Sequence, residues 1–458
     1  MLYSPSVSTG GAETIHDCIV VGAGPAGSAA ALQLARDGLD VVLLERGNRP
    51  GEKNVMSGVL ITRTLHTLIP NFQERAPLQR RIGSDYARYI LGEREALILP
   101  TVRTWGRDEL CLAHTVFRSQ FDAWFAQEAV NAGAELFTAT LVEDLLWADG
   151  QVAGVRTRRG DLRARVVIGA DGVNSTVAEK AGLLSTPTPQ TASLIIRQVL
   201  DLPAETIEER FFLQPGEGML SLFIGLVTGP DGKSGTYFTE IYTNLDSLSM
   251  TVEVPLDVLT QCGVANHDVL IGRERHPYIA RLIRGATLRE YQAHLIPYGG
   301  VGDPSHLYGE GVLLVGDAGR FVTAEGVGSW PAMASGVAAA RTVRAALEKG
   351  DFSKRSLALY RDLLDEEGLL EIQRLARRAL GRPGIIDRHP DQILHIALRY
   401  AAEWLTDQSN EPYSLWSDVY HSLLKLTLPW YARWPLGLAA WVDTRRWQRR
   451  RNKSTEQK

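Results

Sequence analysis

The sequence predicts an α/β fold: a nucleotide-binding domain on a parallel sheet, interrupted by an inserted antiparallel sheet and followed by a helical C-terminal region. Three observations carry this. A strand, glycine turn, helix and second strand run from Asp17 to Glu45. A further apolar strand ending in Gly-Asp returns far downstream, at Gly311–Asp317. Between them, Thr191 to Val254 alternates with period two (Leu220, Leu222, Ile224; Tyr237, Thr239, Ile241), the pattern of strands with one buried face.

Composition supports a large globular protein. The 458 residues are 22% charged and 45% hydrophobic, with 43 glycines and 21 prolines, which excludes collagen-like, disordered and disulfide-scaffold classes. The length suits two or three domains. A net charge of −4 argues against a general nucleic-acid binder. Cys18, Cys111 and Cys262 are far apart and form no CxxC pair. A four-iron cluster needs four thiolates, so this chain alone cannot hold one. Sparse cysteine agrees with a reducing, cytoplasmic compartment, and the first residues lack the basic and apolar regions of a secretory signal. The histidines show no HxH or HExxH spacing, so no metal site is expected.

The elements follow in order. Asp17–Val21 is a β-branched strand that runs into Gly22-Ala23-Gly24-Pro25-Ala26-Gly27. Ser28–Asp37 reads as a helix, Gly38 stops it, and Val41–Glu45 is the next strand. Such a Rossmann-like βαβ unit lets backbone N–H groups meet a pyrophosphate at a helix N-terminus. Glu45, with Arg46 beside it, closes the second strand where a carboxylate accepts from a ribose hydroxyl. Strands recur at Leu136–Leu141, Gln151–Thr157 and Val166–Ala170. The expected organisation is a flexible lead (1–15), a nucleotide-binding domain in two parts (16–186 and 299–350), an inserted substrate domain (187–298) and a helical C-terminal region (351–458).

Two later motifs choose the dinucleotide. Val167–Gly169 leads into Ala170-Asp171-Gly172, and Leu313–Val315 leads into Gly316-Asp317. With the glycine turn, they resemble the p-hydroxybenzoate-hydroxylase-type superfamily, which implies FAD as cofactor. The resemblance implies that Asp317 holds the ribityl chain, that Arg118 lies near the nucleotide, and that Val142 sits at the adenine. The segment through Gly326-Val327-Gly328 precedes an alanine-rich helix, and its amides suit the charge of a reduced flavin.

Within that superfamily, Pro50–Leu60 (PGEKNVMSGVL) is similar to the lysine-asparagine-valine segment of FixC-type flavoproteins, relatives of electron-transfer flavoprotein–quinone oxidoreductase. FQERAP (Phe72–Pro77), RSQFDAWF (Arg118–Phe125) and LIPYGG (Leu295–Gly300) fit the same family. This resemblance spans Asp17 to Leu347. It implies electrons arriving from electron-transfer flavoprotein subunits (FixAB-like) and leaving to a membrane quinone, with the iron–sulfur centre on a separate ferredoxin-like subunit. Lys53, Asn54, Ser57 and Gly58 would then join the flavin site, with Val59 at the ring and quinone head. No side chain is singled out as a catalytic acid or base. Asp171-Gly172 looks more like the hydroxylases, which keeps open an NAD(P)H-dependent monooxygenase of a small aromatic or polyketide-like substrate. A non-catalytic FAD subunit that anchors partners is a third reading.

The C-terminus differs from the body. Six of ten tryptophans lie from Trp404 onward, and nine Lys/Arg from Lys425 onward face only Asp443 and Glu456. Its longest uncharged run, Trp434–Val442, is far short of the roughly 20 residues that span a bilayer. Aromatic rings beside clustered arginines suit a peripheral membrane surface, or a helix docked on its own domain or a partner.

Overall fold

The computed structural model describes residues 14–52, 57–82, 86–91, 96–99, 113–323 and 326–379. Lys53, Asn54, Cys111, nearly all of the N-terminal lead and the Trp/Arg-rich tail lie outside these residues.

Five parallel strands order as Val312–Leu314, Gly160–Gly169, Ile15–Val21, Val41–Leu44 and Glu135–Phe137. Their central segments, Cys18–Val21, Val41–Leu44, Val166–Gly169 and Val312–Leu314, are apolar and buried, as cover on both faces demands. Val41–Leu44 is wholly buried. The helix after the glycine turn is Pro25–Arg36, starting three residues ahead of the Ser28 expected from its alanines. Pro25 takes the first helical position, where its missing N–H costs nothing. This helix packs face to face on Ser329–Lys349. Small residues allow the approach: a Cβ on Gly336 would stand 2.2 Å from the Ala26 carbonyl oxygen.

The strand expected at Leu136–Leu141 divides instead. Glu135–Phe137 closes the parallel sheet, and Val142–Ala148 opens an antiparallel meander with Gln151–Thr157 and Gly160–Gly169. Ala139, at φ +49°, turns the chain between them.

The second sheet has seven strands: Thr287–Pro297, Ala192–Asp201, Ser247–Pro255, Ser234–Thr243, Leu220–Thr228, Tyr86–Leu91 and Ala96–Leu99. It reaches outside the 187–298 segment, because Tyr86–Leu91 pairs in parallel with Leu220–Thr228. That corrects the wholly antiparallel expectation for this sheet. A pairing across such a sequence gap leaves no trace in local periodicity, which reports only each strand's own faces.

A third, antiparallel sheet holds Ser57–Ile61, Ala113–Phe117 and Leu78–Ile82. Arg80 bolts it to the seven-stranded sheet. Its side chain is 1% exposed and donates to Asn244 O at 2.6 Å, Glu217 O at 3.0 Å, Leu245 O at 3.2 Å and the Glu208 carboxylate at 2.8 Å. Beyond Gly350 the described chain is helical, at Lys354–Leu357, Leu359–Glu366 and Leu369–Ala379. Among the described residues, no helix is long and apolar enough to cross a membrane.

Candidate functional site

One groove runs along the C-terminal ends of the parallel strands, where open α/β sheets bind ligands. Gly24, Ala170, Gly172 and Asp317 line it throughout.

Its first end is built around the glycine turn. Gly22 sits at φ +104°, and a Cβ there would meet Ala170 O at 2.3 Å. A Cβ on Gly27 would meet Gly22 O at 1.9 Å. Gly24, by contrast, has open space where a side chain would stand, so bare backbone faces the groove. Glu45 fixes the loop: its carboxylate accepts from Ala23 N at 3.1 Å and from Gly47 N at 2.6 Å. Each oxygen keeps a lone pair for a ribose hydroxyl. Arg46, Val142 and His294 complete this end. Burial, then the Arg118 and Arg46 charges, pushes His294 down to about 4, so it faces the groove uncharged at neutral pH.

Asp171 lines the groove, but its carboxylate is turned to the protein. It accepts from Ser175 Oγ at 2.5 Å and Val177 N at 3.0 Å, tying down the start of helix Thr176–Lys180. Burial pushes its pKa up against those hydrogen bonds.

The second end lies where helices Pro25–Arg36 and Ser329–Lys349 meet the seven-stranded sheet. Pro25, Ala26, Gly58, Val59, Arg118 and Gly316 line it, with Gly326, Val327 and Gly328 at the start of the long helix. Ser57 begins the strand that carries Gly58 and Val59. The amides of Gly326 and Val327 are already spent on Thr323, at 3.1 and 3.2 Å. What remains to face a ligand is the helix start itself, at Gly328 and Ser329. Arg118 forms a bidentate pair with Asp122, at 2.6 and 2.9 Å. Burial opposes its charge, but Asp122 and then Asp317 outweigh it and hold its pKa above the ordinary value. Burial raises Asp317, and Arg118 offsets part of that.

Residues 17–186 match the model for FAD dependent oxidoreductases. The protein FixC of Salmonella typhi is 37% identical over 390 residues, covering 84% of this chain and 90% of that protein. The chain belongs to the FixC family. Another relative, the probable electron transfer flavoprotein-quinone oxidoreductase YdiS of Escherichia coli K12, is 36% identical over 386 residues, 83% of this chain and 89% of that protein. A solved geranylgeranyl bacteriochlorophyll reductase-like protein from Thermoplasma acidophilum shares the fold, with a TM-score of 0.65 at 21% identity over 84% of this chain and 92% of that one.

As a FixC-family member the protein is an FAD-dependent oxidoreductase. The groove fits the cofactor on its own terms: Gly24, Gly58 and Gly172 leave open space along it, the helix Pro25–Arg36 starts at it, Glu45 stands at its first end and Asp317 lies where the two ends meet. Sequence reading missed what the second sheet contributes. Leu220, Glu240, Tyr242 and Ile296 line the second end. The signal was present as Glu240 and Tyr242 alternating with buried Thr239 and Ile241. In a strand of unknown partner, such an acid reads equally well as solvent-facing.

Proposed function

We propose that this FixC-family protein passes electrons from electron-transfer flavoprotein subunits to a membrane quinone. A separate ferredoxin-like subunit would carry the iron–sulfur centre. The observation that carries the reading is the second end of the groove, an apolar wall of Gly58, Val59, Leu60, Leu220 and Ile296 facing the start of helix Ser329–Lys349. A flat, largely apolar ring such as a quinone head suits that wall.

FAD, when bound, supplies the electron transfer. The chain's own residues bind and orient it. The Gly22–Gly27 turn and the helix behind it receive the pyrophosphate, and Glu45 the adenosine ribose. Asp317 takes the ribityl chain, and Gly326, Val327 and Gly328 lie against the ring edge. Val142 would border the adenine. Asp171 would act at one remove, by holding Gly172 and the helix behind it. We assign 16–186 and 299–350 to the cofactor and 187–298, joined by strands Tyr86–Leu91 and Ala96–Leu99, to the substrate. The Trp/Arg-rich tail and Lys53-Asn54, outside the described residues, would provide the cytoplasmic-side membrane contact and a cover over the ring.

The hydroxylase reading rested on Asp171-Gly172. An aspartate whose oxygens are both engaged by Ser175 and Val177 is poorly placed to receive a nicotinamide. The test is reoxidation: holoprotein charged anaerobically with dithionite and mixed with a short-chain ubiquinone analogue should recover its oxidised flavin spectrum within seconds. A spectrum that stays bleached would overturn the quinone assignment.

A further inference from the structure

The second sheet brings ionisable groups to the cavity that cofactor binding does not use. Glu240 and Tyr242 line it from strand Ser234–Thr243. In the adjoining strand, Thr251 stands opposite Glu240 and Glu253 opposite Phe238, so Glu253 is the diagonal neighbour of Glu240 on the same face. Tyr242 donates to Glu240 Oε2 at 2.6 Å, and Thr251 Oγ1 lies 3.4 Å from the same oxygen. The Glu253 carboxylate lies against the turn that precedes the long helix: a Cβ on Gly326 would be 3.1 Å from its Oε2.

Among the described residues, neither acid has a cation among its electrostatic partners. Arg197 stands opposite Thr251 on the third strand, on this same face. Its side chain is 4% exposed and its Nη2 bonds Glu290 at 2.8 Å. Its Nε and Nη1 are buried with no hydrogen-bond partner among the described residues. His294 follows opposite Ile195 on the fourth strand, and Arg118 faces the sheet from across the cavity but is engaged by Asp122.

We propose that Glu240 and Glu253 are a proton-donating pair for the electron acceptor bound in this cavity, with Tyr242 fixing the Glu240 carboxyl toward it. Two partly buried carboxylates at diagonal positions on one sheet face do not both ionise freely. Burial, then the Glu240 charge, pushes Glu253 up to about 8, and burial raises Glu240. The pair thus keeps a proton at neutral pH. Protonation also keeps Glu253 from opposing negative charge beside Gly326.

The acceptor class rests on the quinone reading above. Reducing a quinone to a quinol takes two electrons and two protons. With both electrons and one proton drawn from reduced FAD, the second proton leaves the Glu240 carboxyl as the quinol O–H bond forms. Glu253 returns a proton to Glu240, and water reprotonates Glu253.

The experiment uses the FAD-loaded protein and its Glu240→Gln and Glu253→Gln variants, neutral isosteres of the protonated acids. Infrared titration should show a protonated-carboxyl band in the wild type that is lost with a midpoint near pH 8 and is absent from E253Q. The flavin midpoint potential should change its slope against pH in the same range, and E253Q should abolish that change. E240Q should slow reoxidation by the ubiquinone analogue about tenfold or more, with its flavin content unchanged. No titrating band, or variants with wild-type pH dependence and rate, would overturn the pair. A titrating band and potential in a protein that no quinone reoxidises would overturn the acceptor class and leave the pair standing.

Discussion

The two halves of the groove are built from different materials. The nucleotide end is made of backbone: glycines, strand ends and a helix start, with Glu45 locking the loop through Ala23 N and Gly47 N. The sheet end is made of side chains on alternating positions, Leu220, Glu240, Tyr242 and Ile296. A cofactor shared by many enzymes is held by the part that tolerates least substitution. The sheet end, where the acceptor is proposed to bind, has a surface that can change without moving the backbone.

That contrast orders the consequences of mutation. The largest effect falls outside both halves, on the bolt between the small third sheet and the seven-stranded sheet. Arg80→Ala leaves Glu208 and three carbonyl groups without their buried donor. Breaking such a buried pair costs about 3–5 kcal/mol, read as a lowered urea midpoint, and a variant within about 1 kcal/mol of wild type would refute the bolt.

On the nucleotide side, Gly27→Ala places a methyl 1.9 Å from Gly22 O. Overpacking of this kind costs about 1–3 kcal/mol, and here the backbone that must yield is the pyrophosphate loop. The purified variant should carry little FAD by absorbance. Glu45→Ala removes the acceptor for Ala23 N and Gly47 N. At about 1–3 kcal/mol for such a group, FAD affinity should fall roughly tenfold to a hundredfold in a titration of the stripped protein.

On the sheet side, Glu253→Gln should barely alter FAD content but should change the stability–pH profile. The Glu253 pKa stands at about 8, against 4.5 for an ordinary glutamate. Its contribution is therefore fully present below pH 4.5 and is lost as pH rises toward 8, because the unfolded chain ionises first. E253Q should remove that alkaline decline, seen as a flatter Tm between pH 5 and 8. A parallel profile in wild type and variant would place Glu253 outside the cavity's electrostatics.

The same contrast explains what was legible from residues alone. Gly22–Gly27, Glu45 and Gly316-Asp317 announce themselves because close backbone approach demands glycine at fixed spacing from a strand. Pro25 shows the limit: its place at the first helical position moves the start ahead of Ser28, a shift that alanine content could not reveal. Asp171 was legible as a groove residue, but not as one whose oxygens turn inward to Ser175 and Val177. The sheet end was legible only as alternation. Which face of Leu220–Thr228 meets the cavity depends on Tyr86–Leu91 and on a register with Ser234–Thr243, set by contacts distant in the chain. Phe223 and Ile241 pack one side while Leu222 and Glu240 face the other, and only the assembled sheet says which side meets the cofactor.

On the proposed function, electrons enter this flavoprotein from a protein donor and not as hydride from a nicotinamide. Anaerobic stopped-flow mixing of the oxidised holoprotein with NADH and with NADPH tests it most directly. The flavin absorbance should stay unchanged over minutes, while a reduced electron-transfer flavoprotein bleaches it within the mixing experiment. Bleaching by either nicotinamide within seconds would contradict the claim and restore the monooxygenase reading.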